Sequence, residues 1–285
     1  VGSEMCIRDR LKTITKKTKA VIVVHMLGTP CRIKEIKKIC KKHKVTLIED
    51  TAWGIGASVE NKKLGTWGDI GTYSFDFAKT MTTGEGGMVT TNNSELARKI
   101  RSMRDHGAAI SDFQRHHGSR PYLLAEHPYA GYNYRMTDIQ ASIGSTQMDR
   151  AKKIVDERIK LAMTYLNSLD GLDFFQLPTN INGYQHGYQS FPCLFDKKNI
   201  NLSDVEDINT RRNSFMDTLQ IDGVSTRPAT HAVHMLKYYR EKYRIDPHDF
   251  PNAYIANECS ISFPLFNGLT AKEQYYVINT IKKNL

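Results

Sequence analysis

Two short β-branched runs on either side of an amphipathic helical pattern constrain the fold of this chain more than any other feature. The first run covers residues 21–25 and ends at a Gly-Thr-Pro turn, and the second covers residues 45–49 and leads directly to Asp50. Residues 33–40 place isoleucine and cysteine at helical spacing and lysine on the other faces. A strand, a helix and a strand in this order form a βαβ unit, which predicts a parallel sheet.

The chain continues with further strands and helices. Strands are predicted at residues 69–75 and 87–91, and a helix capped by Asn93 follows them. A helical pattern of about thirty residues then runs from Thr137 to near Ser168. A pattern of that length is too long for a typical globular helix unless the helix bridges two lobes or is broken, and we place a domain junction within it.

Residues beyond this helix predict a small α+β lobe. Short strands are expected at residues 189–195 and 260–263, a helix at 207–219, and a final helix after the capping box that begins at Thr270. We therefore expect an α/β fold with three parts. These are a non-native leader at 1–10, a large domain with a mainly parallel sheet at 11–150, and a small C-terminal domain at 151–285.

Composition excludes several classes of protein. No apolar run approaches the length of a membrane span, and residues 1–10 carry four charges without a following apolar region, unlike a secretory signal. The five cysteines form no C-x-x-C pair and the histidines show no ligand spacing. We therefore expect a cytoplasmic protein with no membrane partner, no disulfide framework and no metal site.

The positive charge of the chain is concentrated in one segment. Residues 11–44 contain ten lysines and one arginine against a single glutamate, and the rest of the chain is neutral overall. No aromatic residue is interleaved with the lysines of residues 28–44, so we expect a solvated helix face and no nucleic-acid partner. A basic adaptor that binds an anionic polymer through this helix stays open as an alternative.

Two candidate functional groups follow strands of the predicted sheet. Asp50 ends the second run, and Lys79 comes five residues after Ser74, near the end of the strand at 69–75. Ligands of open α/β sheets bind outside the carboxyl ends of the strands. A lysine amine can form a Schiff base with a carbonyl, and enzymes that use pyridoxal phosphate (PLP) pair such a lysine with an aspartate at the pyridine nitrogen. The Ser74 hydroxyl could then bind the phosphate.

These residues lie within motifs that resemble the DegT-type sugar aminotransferases, which are PLP enzymes with the fold of aspartate aminotransferase. The resemblance extends from about residue 11 to residue 285. The matching segments include residues 24–30, 48–53, 68–69, 74–79, 84–87, 105–107, 131–138, 223–227, 234 and 262–265.

The resemblance implies a role for each site residue. Lys79 would be the Schiff-base lysine and the acid and base that moves the proton, and Asp50 would face the pyridine nitrogen. Ser74 would bind the phosphate, and Asn133 would reach the phosphate of the neighbouring subunit's cofactor. Trp53 stands where the family commonly has Gln or His beside the phenolic oxygen of the cofactor, and its indole nitrogen can still donate a hydrogen bond.

The same resemblance implies the reaction and the partners. Amino transfer, typically from glutamate, to a keto sugar linked to a nucleotide is the implied activity, in a homodimer. Arg227 and His234 fall where the family places groups that face the substrate. The related sugar dehydratases carry His in place of the lysine, so Lys79 disfavours that alternative.

The family also has an N-terminal part of the large domain that precedes the matched region. It includes the loop whose backbone amides bind the phosphate, and losing such amides weakens phosphate binding. A second hypothesis is therefore a truncated, non-catalytic fragment that keeps the fold and binds PLP poorly.

Overall fold

A computed structural model describes most of the chain. The residues described are 14–109, 117, 122, 124, 126–179, 181–196 and 199–285. The expected leader at residues 1–10 lies outside them.

A four-stranded sheet with the order β1-β2-β5-β6 forms the centre of the large lobe. β1 pairs with β2 and β2 pairs with β5 in parallel, whereas β6 pairs with β5 antiparallel. The expected α/β fold with a mainly parallel sheet is therefore confirmed. The strand bounds are Ala20–Val24 for β1, Thr46–Asp50 for β2, Ile70–Ser74 for β5 and Gly87–Thr90 for β6.

Helix α1, Ile33–His43, connects β1 to β2 and completes the βαβ unit. Ile33, Ile36 and Cys40 are buried on one side of the helix, and the lysines occupy the other sides. The helix ends where Lys44 adopts a left-handed conformation with φ 55°. The apolar stripe predicted from the spacing of these residues therefore packs the helix against the sheet.

A second, small sheet joins two distant parts of the chain. Its strands have two residues each and the order β4-β3-β8, with bounds Ser58–Val59 for β3, Lys62–Lys63 for β4 and Tyr184–Gln185 for β8. Strands this short carry too few residues for an alternating pattern, so the sequence did not predict them. The sheet holds the chain near residue 184 against the turn that follows β2.

The helical pattern from Thr137 to near Ser168 forms two helices, so the broken helix is the correct one of the two alternatives. Asp138–Asp149 is α3 and Ala151–Leu169 is α4, with Arg150 between them at φ −98° and ψ 0°. Thr137 caps α3 in a capping box. The break contains no Gly or Pro, so propensity alone does not signal it. Helix α2, Ser94–Met103, begins at its predicted cap, Asn93.

The second lobe packs helices on an antiparallel sheet with the order β10-β9-β7. The expected strand at 189–195 begins two residues later than predicted, because residues 186–189 cross to the large lobe instead. The strands are β7 Phe175–Gln176, β9 Phe191–Phe195 and β10 Ser260–Phe263, and the helices are α5 Val205–Ile221, α6 Lys237–Tyr243, α7 Pro251–Cys259 and α8 Ala271–Lys283.

Buried apolar side chains form two clusters. One draws on residues 23–64 and the other on residues 162–281. The domain boundary between residues 150 and 151 stays a prediction. Across the parts of the chain described above, every helix is too short or too polar to cross a bilayer.

Candidate active site

The parallel strands end at one edge of the central sheet, and we call this edge the rim. It carries the carboxyl ends of β1, β2 and β5. Asp50 is the last residue of β2 and pairs with Val24 of β1 on one side and Thr72 of β5 on the other. Ser74 is the last residue of β5. The predicted aspartate therefore lies on a central strand, and the predicted serine ends the strand beside it.

A tight loop carries Lys79 away from the end of β5. The Asp76 amide donates to Ser74 Oγ at 3.3 Å, and Asp76 Oδ1 accepts from the Ala78 amide at 3.0 Å. The Lys79 amide in turn donates to the Asp76 carbonyl oxygen at 3.0 Å. An aspartate side chain that bonds the main chain two residues later is a common way to fix a turn. Lys79 therefore leaves a defined turn and is half-buried.

Trp53 connects the lysine to the turn that bears the aspartate. The Lys79 Nζ lies 4.6 Å from the centre of the Trp53 ring, within the range of a cation–π contact. Trp53 comes three residues after Asp50, and Asp50 Oδ1 accepts from the Ala52 amide at 3.0 Å in the same turn. The amine of Lys79 is thus held beside the β2 end of the rim, as the pairing of these two residues predicts.

The polar groups of the rim fit a ligand such as PLP. Among the described residues, Asp50 accepts a hydrogen bond only at Oδ1, and the Ser74 Oγ accepts one hydrogen bond and donates none. The hydroxyls of Thr51 and Thr80 are buried and find no partner within the described part of the chain. Buried polar groups are usually hydrogen-bonded, and these two directly follow Asp50 and Lys79. The rim therefore offers the amine of Lys79, the acid of Asp50 and the hydroxyl of Ser74 to one bound molecule.

Glu49 supports the rim from inside the protein. It is fully buried, and it accepts hydrogen bonds from the amides of Gly65, Trp67 and Gly68 at 2.8, 2.6 and 2.6 Å. The fourth donor is His25 Nε2 at 3.1 Å.

These donors set the ionisation of the buried pair. His25 Nδ1 accepts from the Cys31 amide, so Nε2 carries the proton that His25 donates to Glu49. Burial by itself raises the pKa of Glu49, but the bonds from His25, Gly68 and Gly65 outweigh it and hold the pKa below its ordinary value. Glu49 is therefore a buried anion that fixes the chain next to Asp50.

The second lobe contacts the rim through residues 186–189. The Gly187 amide donates to the Gly28 carbonyl oxygen at 2.9 Å. His186 Nδ1 accepts from the Tyr188 amide at 2.7 Å, so Nε2 carries the proton and donates to Thr29 Oγ1 at 2.8 Å. Burial lowers the pKa of His186 to about 4, which keeps the ring neutral at pH 7.

The other predicted site residues have their observed partners outside the rim. Asn133 is exposed, in a segment that bridges to Asp105. Arg227 is exposed and its Nη1 donates to the Thr226 carbonyl oxygen at 2.8 Å. His234 is buried and its Nε2 donates to the Pro247 carbonyl oxygen at 3.0 Å.

No hydrogen bond, ion pair or ring contact between described residues joins these three to the rim. The geometry brings together Asp50, Trp53, Ser74 and Lys79. It also adds residues to which the sequence analysis gave no role. They are Glu49 and His25 below the rim, and the segment 186–189 beside it.

Comparison with known proteins identifies the family. The model of the DegT/DnrJ/EryC1/StrS aminotransferase family matches residues 5–282. An uncharacterized protein of Methanocaldococcus jannaschii is 36% identical over 272 residues, which cover 95% of this chain and 68% of that protein. The GDP-perosamine synthase of Vibrio cholerae is 32% identical over 279 residues, which cover 98% of this chain and 70% of that enzyme.

A solved structure agrees with this result. The aminotransferase from Psychrobacter cryohalolentis superposes with a TM-score of 0.85 at 27% identity, covering 97% of this chain and 71% of that one. The resemblance predicted from the ordered motifs is confirmed. The chain belongs to the DegT/DnrJ/EryC1/StrS aminotransferase family, whose enzymes depend on PLP.

Proposed function

We propose that this chain transfers an amino group, typically from glutamate, to a keto sugar linked to a nucleotide, with PLP as its cofactor. One observation carries the proposal. The Nζ of Lys79 lies 4.6 Å from the centre of the Trp53 ring, and Trp53 stands three positions after Asp50 in the chain, which supports an amine and an acid at one rim. Relatives named GDP-perosamine synthase, 32% identical to this chain, make a GDP-linked keto sugar the first substrate to test.

Each rim residue has a distinct task in this reaction. Lys79 would hold the cofactor through its aldehyde carbon, and its free amine would serve as the base and acid that moves a proton between the carbon bearing the amino group and C4′. The Asp50 carboxylate would hold a proton on the pyridine nitrogen. Bound PLP supplies the sink for the electron pair left when that proton departs. Ser74 could donate its hydroxyl hydrogen to the phosphate, because among the described residues its oxygen accepts one hydrogen bond and donates none.

We assign Trp53 to the face of the site next to the lysine. Its ring holds the Lys79 ammonium by a cation–π contact when the amine is not bonded to the cofactor. A contact of this kind contributes about 0.5–2 kcal/mol, depending on how far water is excluded. The indole N–H can serve the phenolic oxygen of the cofactor, as the resemblance implies. Arg227 and His234 stay predictions as groups that face the substrate.

We propose that the chain acts as a homodimer in which Asn133 reaches the partner's cofactor. The support comes from exposed apolar side chains around Asn133. Tyr134 and Ile139 are 70% and 76% exposed, and helix α3 buries none of its residues within the chain. Exposed apolar clusters of this kind mark interaction surfaces. The variant Ile139→Asp should give a monomer in light scattering, while Ile221→Asp, at a residue 85% exposed elsewhere, should not.

We also propose that the enzyme works in the cytoplasm. The described cysteines, among them the buried Cys193 and Cys259, form no disulfides, as is usual in a reducing compartment. Burial raises the pKa of the Cys259 thiol to about 11, so it stays protonated and unreactive there.

The experiment is a spectral titration of the chain with PLP. We expect an absorbance band of the lysine-bound cofactor in the unmodified chain and its loss in Lys79→Ala. The matched control is Lys99→Ala, because Lys99 also places its Nζ over an aromatic ring, 5.4 Å from the centre of Tyr129. Equal bands in Lys79→Ala and Lys99→Ala, or no band in any of the three proteins, would count against the proposal.

A further inference from the structure

Gln189 reaches from the second lobe to the residue before Lys79. Its Nε2 donates to the Ala78 carbonyl oxygen at 3.0 Å. These two residues are separated by 111 positions in the sequence, so the bond joins the second lobe to the loop of the proposed catalytic lysine. Gln189 ends the segment 186–189, which also contacts the end of β1 through Gly187 and His186.

Arg158 of helix α4 fixes the main chain of this segment. The guanidinium is 8% exposed and donates from Nε to the Tyr188 carbonyl oxygen at 2.8 Å. Its Nη2 donates to the carbonyl oxygens of Gln189 and Leu265 at 2.5 and 3.0 Å. Burial lowers the pKa of Arg158 to about 10, so the group keeps its charge at neutral pH. Hydrogen bonds from a charged donor are the stronger ones, and they hold the backbone of Gln189 in place.

The Ala78–Lys79 peptide is held from both directions. The Lys79 amide donates to the Asp76 carbonyl oxygen at 3.0 Å on the side of the β5 turn. The Ala78 carbonyl accepts from Gln189 on the side of the second lobe. That carbonyl belongs to the peptide unit that leads into Lys79, so its orientation sets the direction of the Lys79 side chain. Without the Gln189 donor, the peptide keeps the bond from the Lys79 amide to Asp76 and loses the bond that holds its carbonyl oxygen, so the carbonyl can tilt toward water.

We propose that Gln189 is a positioning residue for Lys79, a role that rests on the function proposed above for that lysine. By fixing the Ala78 carbonyl, it keeps the Lys79 amine against the Trp53 ring and directed over the rim. The Lys79 amine is then aligned only while residues 186–189 of the second lobe contact the large lobe. Alignment of the catalytic amine thereby becomes dependent on the contact between the lobes.

The first test is kinetic and uses variants of similar shape. Gln189→Met removes the donor without adding charge, and Gln189→His restores a ring N–H at a similar reach. The matched control is Gln185→Met, since Gln185 Nε2 donates in the same way to the Gly56 carbonyl oxygen at 3.1 Å, away from Lys79. We expect kcat to fall about tenfold in Gln189→Met, with KM within about twofold and partial recovery in Gln189→His.

The second test needs neither cofactor nor activity. The chain is treated with an acetylating reagent, and the rate of Lys79 acylation is measured by peptide mass spectrometry relative to Lys99. Loss of the Gln189 donor should free the Lys79 amine from the Trp53 ring. Because one cation–π contact is weak, we expect Lys79 to be acylated only about threefold faster in Gln189→Met than in the unmodified chain. Gln185→Met should leave the ratio unchanged.

The outcomes separate the two proposals. An unchanged acylation ratio in a folded Gln189→Met, or the same change in Gln185→Met, overturns the positioning role whatever the activity. Conversely, a band of lysine-bound cofactor that persists in Lys79→Ala overturns the proposed function, whereas the acylation ratio tests the positioning role independently of that band. A fall of kcat in Gln189→Met without recovery in Gln189→His also contradicts the role of a donor at this position.

Discussion

Replacing the buried carboxylate of Glu49 by an amide tests how the rim is supported. Oε1 of Glu49 accepts from the amides of Trp67 and Gly68, and Oε2 accepts from Gly65 and His25. In Glu49→Gln, whichever way the amide is turned, its NH₂ group faces two donors and accepts from neither. Two of the four hydrogen bonds are lost, and a donor now opposes a donor.

The size of the effect follows from these contacts. A hydrogen bond to a charged group contributes about 1.5–3 kcal/mol, so the loss of two predicts a fall in the free energy of unfolding of roughly 3–6 kcal/mol. The control is Glu60→Gln, because Glu60 is exposed and its ion pair in the described part of the chain is a surface contact with Lys34. Surface pairs contribute about 0–1 kcal/mol, and the control should change little.

The assay is urea unfolding followed by tryptophan fluorescence, since Trp67 is itself one of the donors to Glu49. The pKa of Glu49 lies below its ordinary value in the folded state, so its contribution is present above that ordinary value and is lost as the pH falls through the folded-state pKa. The stability gap between the unmodified chain and Glu49→Gln should therefore narrow in acid. The reasoning would be refuted if the free energies of unfolding of the unmodified chain and Glu49→Gln differed by less than about 1 kcal/mol at pH 7, or if their difference grew in acid.

Two further predictions concern the contact between the lobes. Arg158→Met removes the donor to three carbonyl oxygens and should lower the free energy of unfolding by about 3 kcal/mol or more. The control Arg211→Met, at an exposed residue, should change it little, and both variants are measured by urea unfolding. Gly28→Ala should cost about 1–3 kcal/mol and lower the melting temperature, because Gly28 has φ +92° and an added Cβ would lie 3.1 Å from the Tyr188 nitrogen. Gly171→Ala, with φ +78° and open space, measures the backbone strain alone; an equal drop there would show that the lobe contact adds nothing.

The sequence predicted the rim residues because they depend on local signals. Asp50 directly follows a β-branched run, and Lys79 follows Ser74 after a short loop. Parallel strands end at the same edge of a sheet, so residues at those ends meet whatever the details of the fold. The periodicity of residues 33–43 was sufficient to predict helix α1, which connects β1 to β2.

The supporting residues were not predicted because their partners are far away in the chain. Glu49 lies within an apolar run, and a charged residue in a buried strand indicates that it is hydrogen-bonded. The neighbouring sequence does not indicate that Gly65 and His25 are its partners. The sequence predicts that Gln189 begins the strand at 189–195, because the aromatic and apolar residues after it continue the strand pattern. Its side chain instead reaches Ala78 in the other lobe. Contacts between lobes carry no periodicity, so pattern analysis does not detect them.

The most direct measurement of the site is the position of a trapped cofactor. The chain is incubated with PLP, reduced with borohydride to make the bond to lysine permanent, and digested for peptide mass spectrometry. We expect the label on Lys79, and a loss of labelling in Asp50→Ala, which removes the partner of the pyridine nitrogen. Label spread over the exposed lysines of α1 with Lys79 unmodified would contradict the assignment of Lys79 and Asp50 to one cofactor.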